Sequence, residues 1–236
     1  MKNIHDKSVD MILCDLPYGT TRNKWDSVIN LTILWEEYNR IIKDNSAIIL
    51  TAQTPFDKVL GCSNLCMLKY EWIWEKEMGT GHLNSNFAPL KSHENILIFS
   101  KASASYVKNK SKAMNYFPQM EVGEPYIATK GSLTQNYGTK WDKIVKTENK
   151  GERYPKTILR FNRDKDKLHP TQKPVALFEY LIRTYSNEGD VILDNCSGSG
   201  TTAISAINTN RKFILIEKDK KYFDISAVRI EGHLSN

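Results

Sequence analysis

Short apolar runs alternate with amphipathic helical patterns over residues 9–101 and 168–230 of this 236-residue chain. The apolar runs have the length of buried strands, and residues such as Leu34, Trp35, Tyr38 and Ile41 recur at helical spacing. Buried strands that alternate with helices predict an α/β fold with a mainly parallel sheet. The predicted strands cover 9–15, 47–50, 70–75, 95–99, 190–194 and 213–217, and the predicted helices cover 31–43, 55–68, 174–185, 201–209 and 220–230.

Residues 101–173 interrupt this alternation and carry most of the positive charge. They hold sixteen Lys or Arg against seven Asp or Glu, a net charge of +9 that leaves −3 on the rest of the chain. Aromatic residues lie among the charges, and bases stack on such rings while Lys and Arg neutralise phosphates. The pattern favours a nucleic acid partner, although a solvated insertion with its own small aromatic core has the same composition. If 140–147 is helical, Lys140, Lys143 and Lys146 share one face.

Other features of the composition exclude several classes of protein. No apolar run approaches the roughly 18 residues of a membrane span, and the first residues lack the apolar segment of a secretory signal. The four cysteines are scattered, which argues against a disulfide framework and for the reducing cytoplasm. Cys62 and Cys66 have no second Cys/His pair beside them, so we expect no metal site.

A strand, a glycine-rich turn and a helix follow one another at residues 193–202. Glycines let the backbone approach a ligand, and the amides at a helix N-terminus favour an anionic group. The next predicted strand ends in Glu217, where an acid can accept hydrogen bonds from a ribose diol. This pattern is typical of a nucleoside cofactor site, and it lacks the Lys of a P-loop and the third Gly of the dinucleotide fingerprint. Without a ligand, the same residues form a tight turn and an ordinary strand-end acid.

Asp15, Leu16, Pro17 and Tyr18 follow the first predicted strand, at the sheet edge where ligands of parallel sheets gather. The carboxylate can hold an amino group, a neighbouring carbonyl can accept that group's other hydrogen, and the ring can stack on a flat base. The simpler interpretation of the same residues is a Pro-Tyr turn with a capping acid.

Asp15-Leu16-Pro17-Tyr18 resembles the D-P-P-Y catalytic motif of amino-group DNA methyltransferases, and 197–202 resembles their S-adenosylmethionine loop. The segment 169–174, His-Pro-Thr-Gln-Lys-Pro, is similar to the one that precedes this loop and closes over the cofactor's methionine end. The segment 87–101 also resembles the family ahead of its recognition region. The catalytic motif precedes the basic segment and the cofactor loop, which is the permuted order of the β class. The resemblance covers 9–101 and 168–230.

The resemblance implies a Rossmann-like methyltransferase sheet with helices on both faces and an irregular basic insertion. Residues 1–101 and 168–236 would form the catalytic domain that depends on S-adenosylmethionine, and 102–167 would be the target-recognition insertion. The substrate would be double-stranded DNA with the target base flipped out. Asp at the first motif position is the family's usual signature for adenine N6, and Ser is the usual one for cytosine N4. Relatives often dimerise, so the resemblance also allows a homodimer.

The resemblance assigns roles to individual residues. The catalytic residues are Asp15, Leu16 (through its carbonyl), Pro17 and Tyr18. Lys173 would face the cofactor carboxylate or a phosphate, and its alternative is a solvated side chain before a helix. The remaining cofactor-binding residues would be Asp194, Asn195, Cys196, Ser197, Gly198, Ser199, Gly200, Thr201, Glu217, His169 and Thr171.

The chain departs from the family pattern at three places. Leu16 replaces the first Pro of the catalytic motif, which should be tolerated because only the carbonyl acts there. Asn195-Cys196 stands where relatives usually have Pro-Phe. Relatives usually carry a further strand and an acidic Gly-Asp turn, which contact the cofactor adenine, before the residues that match 2–10. Three alternatives therefore stay open: an N4-cytosine methyltransferase, a DNA-binding relative without catalysis, and a nicotinamide-dependent dehydrogenase. The dehydrogenase explains neither Asp15–Tyr18 nor the basic segment.

Overall fold

The computed structural model describes residues 1–19, 26–105, 108–109, 112–130, 145–165 and 168–235. These residues form strands and helices in a mixed order along the chain. The elements are β1 (Val9–Asp15), α1 (Leu31–Ile41), β2 (Ile42–Ala52), α2 (Phe56–Ser63), β3 (Leu68–Thr80), β4 (Lys91–Phe99), β5 (Glu121–Val122), β6 (Tyr126–Lys130), β7 (Val145–Asn149), β8 (Glu152–Arg153), β9 (Ile158–Arg160), α3 (Val175–Tyr185), β10 (Val191–Asp194), α4 (Thr201–Asn208), β11 (Lys212–Leu215) and α5 (Lys220–Leu234).

Seven strands form one sheet in the order β11-β10-β1-β2-β4-β3-β9. β1 pairs in parallel with β2 and β10, and β11 and β9 also pair in parallel with their neighbours. Only β4 runs against both of its neighbours, β2 and β3, among the strands of this sheet in the described part of the chain. The predicted α/β fold with a mainly parallel sheet is confirmed. The antiparallel strand was not foreseen, and its direction matters for the site.

The alternation of side chains along β1 explains why helices cover both faces of the sheet. Ile12 and Cys14 point into a core with Leu34, Trp35 and Tyr38 of α1. Met11 and Leu13 point to the opposite face, into a core with α3 and Ala206 of α4. Because successive side chains of a strand alternate between faces, a strand buried on both faces reads as a continuous apolar run.

Several elements differ from the predicted ones in extent, and β2, β3 and β4 are longer than the predicted strands 47–50, 70–75 and 95–99. α1 ends at Ile41 and β2 starts at Ile42, so the predicted helix 31–43 is two residues too long. α2 ends at Ser63, five residues before the predicted end, and Met67 enters the core as the chain turns into β3. β9 was not predicted, since it has only three residues and only Leu159 of them is buried. No helix in the described part of the chain is long and apolar enough to cross a membrane.

Residues Pro118–Lys156 form a second compact unit. Within it, β6 and β7 pair as an antiparallel ladder and β5 pairs with β8. This unit is narrower than the segment 102–167, because Met114 and Leu159 are buried in the core of the first unit.

The condition under which Lys140, Lys143 and Lys146 would share a face, a helix over 140–147, does not hold for its last residues, because Val145–Asn149 is a strand. Lys146 therefore lies on an extended ladder, where it pairs with Thr129. Lys140 and Lys143 lie outside the described residues. The guanidinium of Arg153 lies 4.6 Å from the centroid of the Tyr126 ring, so this small unit has an aromatic contact of its own.

Candidate functional site

Strand direction brings the predicted site residues to one edge of the sheet. Asp15 ends β1, Asp194 ends β10, and Glu217 follows the end of β11. These three strands are parallel, so their carboxyl ends lie at the same edge. Glu94 reaches this edge from the opposite direction, because it lies near the start of the antiparallel β4.

The Asp15 carboxylate is held by three side chains. Its Oδ2 accepts a hydrogen bond of 2.6 Å from the ammonium of Lys173. Its Oδ1 accepts one of 2.6 Å from the hydroxyl of Tyr18 and another from the hydroxyl of Thr51. Thr51 is paired with Asp15 in the register of β1 and β2, so the sheet itself sets this contact. Asp15 is therefore fixed as an acceptor group.

The carboxylates of Asp15 and Glu94 and two lysines form a chain of alternating charges. Lys173 Nζ also lies 3.3 Å from Glu94 Oε2, and Lys76 Nζ lies 2.5 Å from Glu94 Oε1. Burial alone would raise the pKa of Glu94, but the charges of Lys173 and Lys76 outweigh it and lower this pKa to about 2. Burial likewise opposes the charge of Lys173, and Asp15 and Glu94 outweigh it and raise the pKa of Lys173. The two lysines therefore favour the charged form of Glu94, and the two carboxylates favour the charged form of Lys173.

The Tyr18 ring is fixed beside this chain of charges. It stacks on Phe56 with the ring centroids 5.5 Å apart, and Lys173 Nζ lies 5.5 Å from the centroid of the Tyr18 ring. Burial, together with the charges of Asp15 and Glu94, raises the pKa of the Tyr18 hydroxyl well above its ordinary value, so the group stays a neutral donor. Leu16 is buried in the core and Pro17 is half-buried, so the backbone between Asp15 and Tyr18 is anchored.

The glycine turn between β10 and α4 is tight and preformed. Gly198 and Gly200 have φ values of +51° and +79°, which L side chains rarely adopt. A Cβ at Gly200 would lie 3.0 Å from the Cβ of Ser226, so α5 packs directly against the turn. Ser199 donates to the side chain of Gln172, and the hydroxyl of Thr201 accepts from Arg229. The predicted residues of the glycine turn therefore lie together, in contact with α5 and with the segment before α3.

Asp194 stabilises the glycine turn through hydrogen bonds. Its two oxygens accept hydrogen bonds from Cys196 N at 3.0 Å and from the Thr202 hydroxyl at 2.5 Å. Burial raises the pKa of Asp194 to about 6, even though these hydrogen bonds oppose the shift. Asn195 accepts a hydrogen bond of 2.5 Å from the hydroxyl of Tyr38, on α1. Asn195 and Cys196 thus pack the turn against the core in place of the usual Pro-Phe.

The Glu217 carboxylate ties two backbone segments together. Its Oε2 accepts from Gly198 N at 2.7 Å and its Oε1 accepts from Asp219 N at 2.8 Å. Each carboxylate oxygen has a second lone pair, so a ribose diol can still donate to it. Glu217 therefore shapes the turn as well as offering acceptors.

The segment before α3 lies over the glycine turn. A Cβ at Gly198 would lie 3.7 Å from the His169 ring, an ordinary van der Waals contact, so the positive φ of Gly198 rather than a lack of space favours glycine here. The ring of His169 meets Tyr222 edge-on at 4.2 Å, and its Nδ1 lies 3.1 Å from the Thr171 hydroxyl. Burial lowers the pKa of His169, despite the opposing charges of Asp15 and Glu217. From this segment, Lys173 reaches Asp15.

These residues fit the S-adenosylmethionine predicted for the turn. The hydroxyl of Ser197 is buried and has no hydrogen-bond partner in the described part of the chain, so a donor or acceptor of a ligand is needed there. Gly198 has no side chain to cover the backbone of the turn, and Glu217 offers acceptors beside it. No cation is needed to balance this donor set, because Asp15 and Glu94 are already paired with lysines.

Thr51, Lys76 and Glu94 were missed by the sequence analysis, although they contact the predicted residues. The sequence shows Glu94 only as an acid directly before the predicted strand 95–99, which does not by itself indicate a site residue. An acid ahead of a strand lies at the opposite edge of a parallel sheet, so only the reversed direction of β4 brings Glu94 to Asp15.

Solved structures with the same fold include a DNA methyltransferase and a complex with SAM. M1.HpyAVI in complex with SAM matches with a TM-score of 0.61 and 21% identity, over 97% of this chain and 90% of that chain. The N4-cytosine-specific PvuII DNA methyltransferase matches with a TM-score of 0.66 and 13% identity, over 99% and 86%. At these identities the similarity is one of fold.

Sequence relatives are closer. The type II methyltransferase M1.MboII of Moraxella bovis is 31% identical over 252 residues, which cover 94% of this chain and 89% of the relative. The DNA adenine methyltransferase YhdJ of Escherichia coli is 28% identical over 249 residues, covering 98% and 79%. The N6/N4 methyltransferase family model, described as DNA methylase, matches residues 9–228. With the cluster at Asp15 and the turn at Gly198 at one sheet edge, these matches show that the chain belongs to the DNA methylase family.

Proposed function

We propose that this protein transfers a methyl group from S-adenosylmethionine to the N6 amino group of adenine in double-stranded DNA. One observation carries the proposal. The Asp15 carboxylate, fixed by Tyr18, Thr51 and Lys173, lies at the same sheet edge as the open turn at Gly198. A carboxylate that accepts hydrogen bonds from an amino group, next to a turn that can bind a nucleoside cofactor, is the arrangement that methyl transfer to an amine needs.

Asp15 and the Leu16 carbonyl address the weakness of the nucleophile. The lone pair of an exocyclic amine is delocalised into the ring, so the nitrogen attacks poorly. Hydrogen bonds from the amino group to Asp15 and to the carbonyl of Leu16 localise that lone pair. The ion pair with Lys173 and the hydroxyl of Tyr18 hold Asp15 still while it accepts, and such positioning supplies much of the rate.

The glycine turn would hold the cofactor. When bound, S-adenosylmethionine supplies an electrophilic methyl group on its sulfonium. Ser197 offers its unpaired hydroxyl, Gly198 its open backbone and Glu217 its acceptor oxygens for the ribose hydroxyls. Asp194 and Asn195 brace the turn, while His169 and Thr171 lie above it. Cys14 and Cys196 have no nucleophilic role in this reaction, and burial keeps the pKa of Cys14 well above its ordinary value.

The target base is flipped out of the duplex in this proposal, because an amino group within the stack cannot reach Asp15. Tyr18 offers its ring as a stacking surface, and Phe56 supports that ring from one side. The unit 118–156 and the basic residues around it are the proposed target-recognition region. The four free thiols fit a reducing compartment, and the cytoplasm is the proposed location.

Adenine is preferred to cytosine because Asp occupies the first motif position and because a relative named as a DNA adenine methyltransferase matches 98% of the chain. A homodimer is the proposed oligomer. Analytical ultracentrifugation tests it independently of the reaction.

The deciding experiment identifies the modified nucleoside. Unmethylated bacterial DNA is incubated with the protein and S-adenosylmethionine, digested to nucleosides and analysed by mass spectrometry. We expect N6-methyldeoxyadenosine. This product should disappear with Asp15→Asn, which keeps the shape of the side chain and removes its charge. Detection of N4-methyldeoxycytidine instead would show that the target base is cytosine and not adenine. Cofactor binding by calorimetry without any methylated product would instead identify a DNA-binding relative that has lost catalysis.

A further inference from the structure

The hairpin that joins β3 to β4 projects from the catalytic edge of the sheet. Its two strands are fastened there by side chains of the site, since Lys76 of β3 pairs with Glu94 of β4 and Glu94 reaches the Tyr18 hydroxyl at 3.4 Å. Lys91 donates to Gln53 Oε1 at 3.1 Å, just past the end of β2. At about 3.3 Å per strand residue, Lys91 lies about 10 Å beyond Glu94. The hairpin tip, residues 81–90, therefore starts close to the mouth of the catalytic site.

The tip has a defined backbone shape. Asn84 N donates to the Gly81 carbonyl at 2.9 Å, and the amides of Phe87 and Ala88 both donate to the Asn84 carbonyl at 2.9 Å. Gly79 allows the strands to approach below the tip, because a Cβ there would lie 2.8 Å from the Cβ of Leu90. These hydrogen bonds close a compact turn, and all of residues 81–90 are exposed.

The tip exposes large apolar side chains among its polar ones. Leu83 is 99% exposed and Phe87 is 90% exposed, and Met78 at the base of the tip is exposed as well. The stretch 78–93 contains no Asp or Glu, and it carries Lys91 and two histidines. Large apolar side chains held out in water on a turn without carboxylates mark a surface that is covered by a partner.

We propose that this tip enters the DNA duplex beside the target base, with Phe87 and Leu83 as the wedge that fills the space left by the flipped adenine. The inference rests on the proposed function. The continuity of the hairpin with Glu94 and Tyr18 places the tip where the duplex must lie for a base to reach Asp15. Proteins that unstack DNA use apolar side chains for this purpose, and the absence of carboxylates lets the tip approach phosphates.

The test uses DNA whose target site has been mapped. The wild-type protein is expressed in a bacterial strain without adenine methylation, and the methylated adenines are located by sequencing its genome. Two short duplexes carrying the mapped site are then prepared with 2-aminopurine in place of the target adenine. One duplex is fully paired, and the other lacks the base opposite the target, so that unpairing costs nothing.

Phe87→Ala and Leu83→Ala are compared with Leu65→Ala. Leu65 is 65% exposed, and it lies just before the amino end of β3, at the opposite edge of the sheet. With Phe87→Ala or the double variant, affinity for the paired duplex should fall by at least about tenfold, and the fluorescence rise of 2-aminopurine should be lost. Most of the loss of affinity should disappear on the duplex with the missing base. Leu65→Ala and cofactor binding should stay at wild-type levels.

Each other outcome overturns the wedge. Equal losses on both duplexes would make the tip a general DNA contact, and wild-type binding by the double variant would remove it from the DNA interface. A changed oligomeric state with intact DNA binding would assign the tip to a protein contact. If the wild-type protein methylates no DNA at the mapping step, the proposed function fails, and the inference about Phe87 and Leu83 fails with it.

Discussion

Lys173 Nζ lies 2.6 Å from Asp15 Oδ2, so the segment before α3 and the last residue of β1 meet in one ion pair across 158 positions of sequence. Lys173 is 5% exposed and also pairs with Glu94, so its charge is held between two carboxylates. A buried cation between two acceptors fixes where both of them point. The resemblance assigned Lys173 to the cofactor, and the geometry adds the positioning of Asp15.

Lys173→Met separates these two roles. Removing one partner of a buried ion pair leaves uncompensated charge, so we expect a loss of about 3–5 kcal/mol in the free energy of unfolding by urea. We also expect kcat to fall about a hundredfold as Asp15 loses its anchor, with little change in the cofactor Kd. A cofactor Kd that rises as steeply as kcat falls would place Lys173 on the cofactor instead. Lys173→Arg is the control that retains the charge.

Glu94→Gln tests the chain of charges through its pH dependence. The pKa of Glu94 is lowered from 4.5 to about 2, so its contribution is present above pH 4.5 and is lost as the pH falls towards 2. As the pH falls through this interval, the wild type should lose up to about 3 kcal/mol more of its free energy of unfolding than Glu94→Gln loses. Urea unfolding at pH 5, 4 and 3 measures it. Parallel stability curves for the two proteins would show that Glu94 is not held by Lys173 and Lys76.

Asp194 should act with the opposite sign. Burial raises its pKa from 3.8 to about 6, so the folded protein binds a proton that the unfolded chain releases, and stability falls as the pH rises from about 4 to 6. Asp194→Asn should flatten that fall, since the amide cannot ionise while its oxygen can still accept one hydrogen bond. The difference between the two stability curves at pH 4, 5 and 6 is the measurement. An unchanged fall in Asp194→Asn would assign it to another group.

The strands and the turn could be predicted because their sequences carry the physical signal directly. The run 9–15 is apolar because β1 is buried on both faces, and the glycines at 198 and 200 are required by positive φ. Lys76 on β3 and Glu94 on β4 could not be predicted as site residues, because strand direction is a tertiary property. Glu94 lies at the catalytic edge of the sheet only because β4 is antiparallel to its neighbours.

The segment 118–156 gave no reliable pattern for a related reason. β5 and β8 have two residues each, and their side chains are exposed or half-buried. The alternation that marks a strand appears only where one face is buried against a core. Arg153 on Tyr126 is the kind of local contact that holds such a unit, and it has no sequence period.

Glu217→Ala should weaken S-adenosylmethionine binding by about 1–3 kcal/mol, because the ribose hydroxyls lose their acceptors. The substitution also frees the amides of Gly198 and Asp219, so Glu217→Gln is the matched variant, in which one oxygen still accepts. We expect the Gln variant to fall between the wild type and Ala in isothermal calorimetry. A cofactor Kd for Glu217→Ala equal to that of the wild type would remove Glu217 from the cofactor site.

The contribution of the basic segment 101–173 to DNA binding should be visible in the salt dependence of the affinity. If it grips the DNA backbone, each neutralised phosphate contributes about −0.9 to the slope of log affinity against log salt concentration. Lys146, Lys150 and Lys156 are exposed in the second unit, and their joint replacement by Gln should flatten the slope by about one to three units. Binding is measured by fluorescence anisotropy on the mapped duplex at several salt concentrations.

The matched control replaces lysines at the far edge of the sheet. Lys7 precedes β1 and Lys212 begins β11, so both lie at the amino ends of parallel strands, away from Asp15. Lys7→Gln with Lys212→Gln removes two positive charges from the molecule and should leave the slope nearly unchanged, which separates phosphate contact from net charge. Cofactor affinity should be the same in all three proteins, because Gly198 and Glu217 belong to the first unit, and Lys7 and Lys212 of that unit lie at the opposite edge of the sheet. If the two sets of variants flatten the slope equally per charge removed, the +9 segment acts only through the overall field of the protein, and recognition has to be sought in the catalytic unit.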